Sequence, residues 1–252
     1  MAARGISTLA ELQTSQINYS SKSVIASGKN RNIWTVGYDP SCVGDATPFG
    51  RDLVDILTPS GTQKVLSTNN FVTTTAGSHG SNNLDELLFN CAGEVSSGDT
   101  EKIVNFVRGY DSYGEDPGDI RQSFISDTFH SDLVFVGAPS AATSATGTFT
   151  ESFFRARNGY AAFKATHKDR EGRFFVGAND GMLHAYDKDL NHLWGFIPPS
   201  ILPKLRRMEG PTAQSVTQWL VDGPIVVKDV FIKKTAEWKT LLVGGMGWGG
   251  KG

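Results

Sequence analysis

A chain of 252 residues, 39% hydrophobic and 20% charged, can bury a sizeable core and falls in the ordinary globular range, as one large all-β domain or two smaller units. Its net charge of −2 gives no general field to draw in a polyanion, which argues against nucleic acid or anionic lipid as a partner. No apolar run approaches the ~20 residues that span a bilayer, and the opening Met1-Ala2-Ala3-Arg4-Gly5 is not followed by a secretory apolar core.

Residues 1–30 are polar and Ser-rich and read as a lead-in or linker, with one short helix around residues 8–13. Residues 31–99 carry brief apolar clusters broken by Gly, Pro and Asn, an irregular mixed region with helical spacing at 85–89. Cys42 and Cys91 lie in it without CxxC spacing or a neighbouring His cluster, so a metal site has little support, and an oxidising compartment leaves their pairing open.

Residues 100–107 predict a helix, because Ile103, Val104 and Val107 share one face while Glu101, Lys102 and Asn105 face away. Gly109 follows Arg108 where a helix C-terminus favours glycine. An acidic, turn-rich stretch follows at 110–121. Residues 131–136 read as a strand ended by Gly137-Ala138-Pro139, residues 140–150 as a small-residue loop, and residues 160–165 as another short strand.

Two alternating runs, 173–178 and 182–187, flank Asn179-Asp180-Gly181 and predict a hairpin whose glycine supplies the positive φ of the turn. A second turn at 188–191 leads to a third strand at 192–197, closed by Pro198-Pro199 because proline cannot donate to a ladder. A basic helical turn at 201–208 precedes a further hairpin, 225–232 with 238–243.

Glycine, 28 residues in all, punctuates these short strands, and no long helix separates them, a pattern of propeller blades rather than βαβ units. Phe-Val-Gly-Ala occurs at 135–138 and at 175–178 and is echoed by Leu242-Val243-Gly244-Gly245, so each copy is expected to be the equivalent strand of a blade. The fold expected is mainly all-β: a partial β-propeller of four-stranded antiparallel blades with a few short helices, in which 100–252 make about two to three blades. The Gly-rich end at 244–252 suggests a segment of a longer protein.

Several motifs imitate chemistry and fail its context. Asp187-Lys188-Asp189-Leu190-Asn191 resembles the start of a calcium loop, yet His192 and Pro198 stand where Gly and Glu are needed, which favours a turn between strands. Residues 245–250 spell GxGxxG and, with Lys251, most of a P-loop; Gly252 replaces the hydroxyl residue, and no helix follows. The bland alternative is an inter-strand turn whose Trp248 packs into a neighbouring blade.

Asp127, His130, Ser131 and His184 contain the residue types of an acid–base set, but adjacent strand residues face opposite ways, and His184 alternates with Met182 and Tyr186 as a packed histidine would. Trp194 and Trp238 suit blade-to-blade packing better than a stacking platform. No catalytic, cofactor-binding or metal-ligating residue is assigned.

The run from Val176 to Ala185, containing Gly177, Asn179, Asp180, Gly181 and His184, is followed by Asp187 and by Trp194 with Pro198-Pro199. With Leu202-Pro203-Lys204-Leu205, with Asp222-Gly223-Pro224 and with Trp238 ahead of Gly244-Gly245, this ordered series resembles the β-propeller domain of the PilC/PilY-type pilus tip-associated proteins. Arg108-Gly109 and the Asp127, His130, Ser131 segment are similar to further family stretches, while Ser126, Leu133 and Thr217-Gln218-Trp219 depart from the usual residues.

The resemblance implies a non-enzymatic role in type IV pilus biogenesis and surface adhesion. It further implies export to the cell surface, outer membrane or pilus tip, with pilus subunits, minor pilins or a host surface as partners. The family's calcium loop falls downstream of Gly252, so no cofactor is expected within this segment. A pyrroloquinoline-quinone dehydrogenase, whose blades repeat a similar Asp-Gly…Leu-Trp pattern, is the competing enzyme reading; the segments at 202–205 and 221–224 weigh toward the pilus family.

Overall fold

The computed structural model describes residues 32–35, 37–38, 53–54, 97–111, 125–147, 149–205 and 218–250. The lead-in, the expected helices at 8–13 and 85–89, both cysteines and most of the acidic stretch at 110–121 lie outside the described residues.

The central sheet has strand order β1-β7-β6-β5-β4, from Ile33–Thr35 (β1), Val134–Val136 (β4), Arg173–Gly177 (β5), Leu183–Asp187 (β6) and His192–Ile197 (β7). Strands β4 to β7 are antiparallel throughout and make one four-stranded blade. Strand β1 comes from far upstream and joins β7 in parallel, with Ile33 opposite Gly195. Short strands β2 (Gly37–Tyr38) and β3 (Leu53–Val54) pair with each other, and β8 (Ile225–Ile232) and β9 (Glu237–Gly244) form a long hairpin. Among the described residues the sheets do not close into a ring.

Local chemistry explains the meander. The β5–β6 connection closes with Ala178 N–H donating to Met182 O at 3.0 Å, and Gly181, at φ 89°, takes the left-handed position that completes the three-residue loop. In the β6–β7 connection Asp187 does the equivalent work with its side chain, Oδ1 accepting from the N–H groups of Asp189 and Asn191 at 2.8 and 2.9 Å. The imitation calcium loop is therefore a turn whose first carboxylate is spent on its own backbone.

The helix expected at 100–107 spans Ser97–Arg108 (α1), and its end is a Schellman motif: Tyr110 N–H donates to Asn105 O and Gly109 N–H to Phe106 O, both at 2.9 Å. Its buried Ile103, Val104 and Val107 pack into one core with Ile33, Met182, Ile197 and the turn residues Ile201, Leu202 and Leu205. Residues Leu202–Leu205 form a single helical turn (α4). A second cluster holds Ile125, Val176, Ala178, Tyr186 and Leu190.

Three expectations need correction. Residues 160–165 are not a strand: Glu151–Arg157 (α2) and Tyr160–Thr166 (α3) are helices. Thr150 caps α2 by accepting from Phe153 N–H, and Gly159, at φ 72°, breaks the two helices apart. The short apolar run 160–165 reads locally as a strand, but Tyr160 and Phe163 are three residues apart, a helical spacing that puts their ring centroids 5.6 Å apart on one helix face. Second, the Phe-Val-Gly-Ala copies are not equivalent strands of two blades, since Phe135 pairs with Phe174 on adjacent antiparallel strands of one sheet. Third, the strand expected at 131–136 begins only at Val134, because Ser131 is drawn into side-chain bonding described below.

Candidate functional site

The polar residues of the signature series converge on one joint, where the segments 127–131, 177–184 and 220–223 meet. Asn179 is its first staple. Its N–H donates to Asp127 O and its Nδ2 to Asp127 Oδ2, both at 3.0 Å, while its Oδ1 accepts from Leu220 N–H at 3.0 Å. One buried amide thus ties the β5–β6 loop to two segments distant in sequence.

Asp222 is the second staple. Its carboxylate, 1% exposed, accepts from the N–H groups of His130 and Ser131 at 2.8 and 3.2 Å, and its other oxygen lies 2.8 Å from His130 Nδ1. A carboxylate only accepts, so Nδ1 carries the proton and donates. Ser131 Oγ in turn accepts from Gly177 N–H at 2.8 Å. Gly177 lies so close to the 220–222 segment that a Cβ would fall 2.4 Å from Val221 O.

Within the β5–β6 hairpin, Asp180 Oδ1 accepts from Met182 N–H at 3.1 Å, and both carboxylate oxygens lie within 3.1 Å of His184 Nε2. Nε2–H therefore donates to Asp180, leaving Nδ1 to accept from His192 Nε2 at 3.2 Å. All three side chains are buried in this Asp–His–His chain.

The expected packed histidine is found, and Asp127, His130, Ser131 and His184 do not form one reactive centre. Each is committed elsewhere, and Ser131 Oγ receives a backbone proton rather than meeting an imidazole. Among the described residues no cluster of His, Cys, Asp or Glu could hold a metal ion.

The remaining signature residues frame the joint. Arg108 is buried at the end of α1. Pro198 O accepts from Ile201 N–H at 2.9 Å, and Pro199 opens the following 3-10 turn. Gly223 N–H donates to Gly245 O at 3.1 Å and Gly245 N–H to Pro224 O at 2.9 Å, while Gly244 pairs with Ile225.

Trp194 and Trp238 share no platform. Trp194 lies 6.0 Å from the Phe175 ring, whereas Trp238 packs 4.8 Å from Tyr160 and donates its Nε1–H to Asn158 O at 2.7 Å. Trp238 thereby seats α2 and α3 on the β8–β9 hairpin. Sequence reasoning missed the rest of that seat: Tyr160 OH donates to Asp229, Thr240 Oγ1 donates to Asp229 Oδ1 at 2.6 Å, and Arg170 bridges Gly137 O and Thr240.

The GxGxxG stretch contains a 3-10 turn, Gly247–Gly249, packed on the 220–223 segment; no nucleotide-loop helix follows it among the described residues, and Trp248 is 80% exposed in this segment.

The PilY1 beta-propeller domain pattern matches residues 126–252, which include the entire joint. A type IV pilus biogenesis factor PilY1 homolog of Xylella fastidiosa is 37% identical over 153 residues, and PilY1 of Pseudomonas aeruginosa strain PAK is 35% identical over 151; each alignment covers 59% of this chain and 12% of the relative. PilY1 of Pseudomonas aeruginosa PAO1 is 42% identical over 94 residues, 37% of this chain and 8% of the relative. The chain thus spans only about an eighth of the curated relatives it matches most extensively. No solved structure matches it significantly. With half of its length matched and the matched residues meeting at a single joint, the chain belongs to the PilY1 β-propeller family.

Proposed function

We propose that the chain is a non-enzymatic propeller segment of a type IV pilus biogenesis and adhesion factor, acting by presenting loops to pilus subunits, minor pilins or a host surface. The observation that carries this reading is where the polar residues go. Asp127, Ser131, Asn179 and Asp222 bond backbone groups across the joint, so the chemistry serves to hold loops on a rigid sheet, where recognition usually sits. The names of the relatives, type IV pilus biogenesis factors, supply the process.

The same reading puts the longer protein outside the cell or at the pilus tip. No described helix is long and apolar enough to cross a membrane. On the same reading, a calcium loop of the longer protein would lie downstream of Gly252.

The test replaces this segment, in a bacterium carrying the full-length factor, with an Asp222→Ala form. Loss of surface pili and of surface motility with the protein still exported supports the reading; unchanged piliation overturns it. A quinone enzyme is tested separately: alcohol- or sugar-dependent dye reduction by the full-length protein with pyrroloquinoline quinone and calcium would replace the assembly role by a catalytic one.

A further inference from the structure

Strand β1 differs from the rest of the central sheet in origin and direction. It is three residues long, runs parallel to β7 and ends the strand order among the described residues, with hydrogen bonds reaching 161 and 162 positions along the chain. Its side chains are nonetheless read one by one. Gly195 N–H donates to Asn32 O at 2.8 Å, Asn32 Nδ2 donates to Leu193 O at 3.3 Å, and Thr35 Oγ1 donates to Ile197 O at 2.9 Å. Ile33, opposite Gly195, is fully buried in the core that also holds Met182 and Ile197. A Cβ on Gly195 would fall 2.8 Å from Met182 Sδ, so the glycine leaves room for that packing.

Backbone bonds that hold a strand while alternate side chains select it are the physics of a peptide added to a sheet edge. Ile33 and Thr35, at 0% and 1% exposure, take the packed side, and Trp34 faces the other way beside Phe196. Other features make β1 the weakest strand to hold. Three parallel residues offer few ladder bonds, and closing a connection of about 160 residues costs more conformational entropy than closing the short turns of the blade. Opening β1 alone therefore costs less than opening the blade. It uncovers the Gly195 N–H and the Leu193 and Ile197 carbonyls as a bare edge.

We propose that the β7 edge is an acceptor site for a parallel strand, occupied by the chain's own residues 32–35 as a detachable clasp. The clasp holds the upstream part of the chain on the blade. The site selects an apolar residue at the Ile33 position and a hydroxyl at the Thr35 position, and once released it accepts a copy of that strand supplied from outside. The inference does not rest on the pilus role.

Hydrogen exchange and a peptide test it on the whole chain. Gly195 N–H, bonded to the clasp, is expected to show a protection factor at least about 10-fold lower than that of Ala178 N–H, whose bond to Met182 O reports opening of the blade. Thr35→Val removes one hydrogen bond while keeping the shape, and lowers protection at Gly195 about 10-fold while leaving Ala178 unchanged. Ile33→Asp releases the clasp. The folded variant, checked by circular dichroism, binds a fluorescein-labelled peptide of residues 30–37 with Kd about 10–100 μM, at least about 10-fold tighter than the parent chain, whose own clasp competes. The peptide carrying the same Ile33→Asp change does not bind. Equal protection of Gly195 and Ala178, an equal effect of Thr35→Val on both, loss of the fold in Ile33→Asp, a folded Ile33→Asp that ignores the peptide, or one that pairs its bare edges into a dimer instead would each overturn the proposal.

Discussion

Asp222 and His130 stand 92 residues apart in sequence, yet one buried carboxylate receives both the backbone N–H and the ring Nδ1–H of that histidine. Ser131 N–H adds a third donor to the same group. Removing the acceptor leaves these donors unanswered in the interior, so Asp222→Ala is expected to cost about 3 kcal/mol. His130→Ala leaves two backbone donors on the carboxylate and should cost about 1 kcal/mol. Urea unfolding of the two variants checks the ranking, and equal losses would contradict it.

Gly177 faces the same segment from the β5 side. Because a methyl group there would press to 2.4 Å from Val221 O, Gly177→Ala must push β5 and the 220–222 segment apart, at about 1–3 kcal/mol. Ser131→Ala acts on the same contact by removing the acceptor of Gly177 N–H and is expected to cost about 1–2 kcal/mol. The two losses share one contact, so the double variant should lose less than their sum by thermal melting.

The meander was legible in the sequence because its determinants are local. Asn179-Asp180-Gly181 states its own loop, and Asp187 binds backbone groups two and four residues on. The joint was legible only as an ordered list of residues, because its bonds join positions 41 to 92 apart and no spacing rule announces them. Helix α3 was misread for the opposite reason: its short aromatic and alanine run fits a strand locally, and what decides it is Tyr160 finding Asp229 and Trp238 on the distant hairpin.

The Asp180–His184–His192 chain makes a separable prediction. His184 bridges an acceptor and a donor that are both buried, so its interactions with the two neighbours form one unit. A double-mutant cycle between Asp180→Asn and His184→Gln is expected to show a coupling of about 1–3 kcal/mol, while the same cycle between His184 and the distant Tyr160 should be additive within about 0.5 kcal/mol.

Tyr160 sets the stability of the molecule in alkali. Burial, then its hydrogen bond to Asp229 and the charge of that carboxylate, push the phenol up to about 12 from an ordinary value of 10.0. Above its unfolded value the unfolded chain gives up the phenolic proton while the folded chain keeps it, so stability is fully present below about pH 10 and falls as pH rises toward about 12. Tyr160→Phe removes this proton from both states and should flatten that part of the profile, at the expense of the Asp229 contact at neutral pH. Melting temperatures from pH 8 to 12 on the chain and on Tyr160→Phe decide the matter: a slope of equal steepness in both would assign the alkaline loss to other groups, whereas a shallower slope in the variant ties it to the seat of α3 on the β8–β9 hairpin.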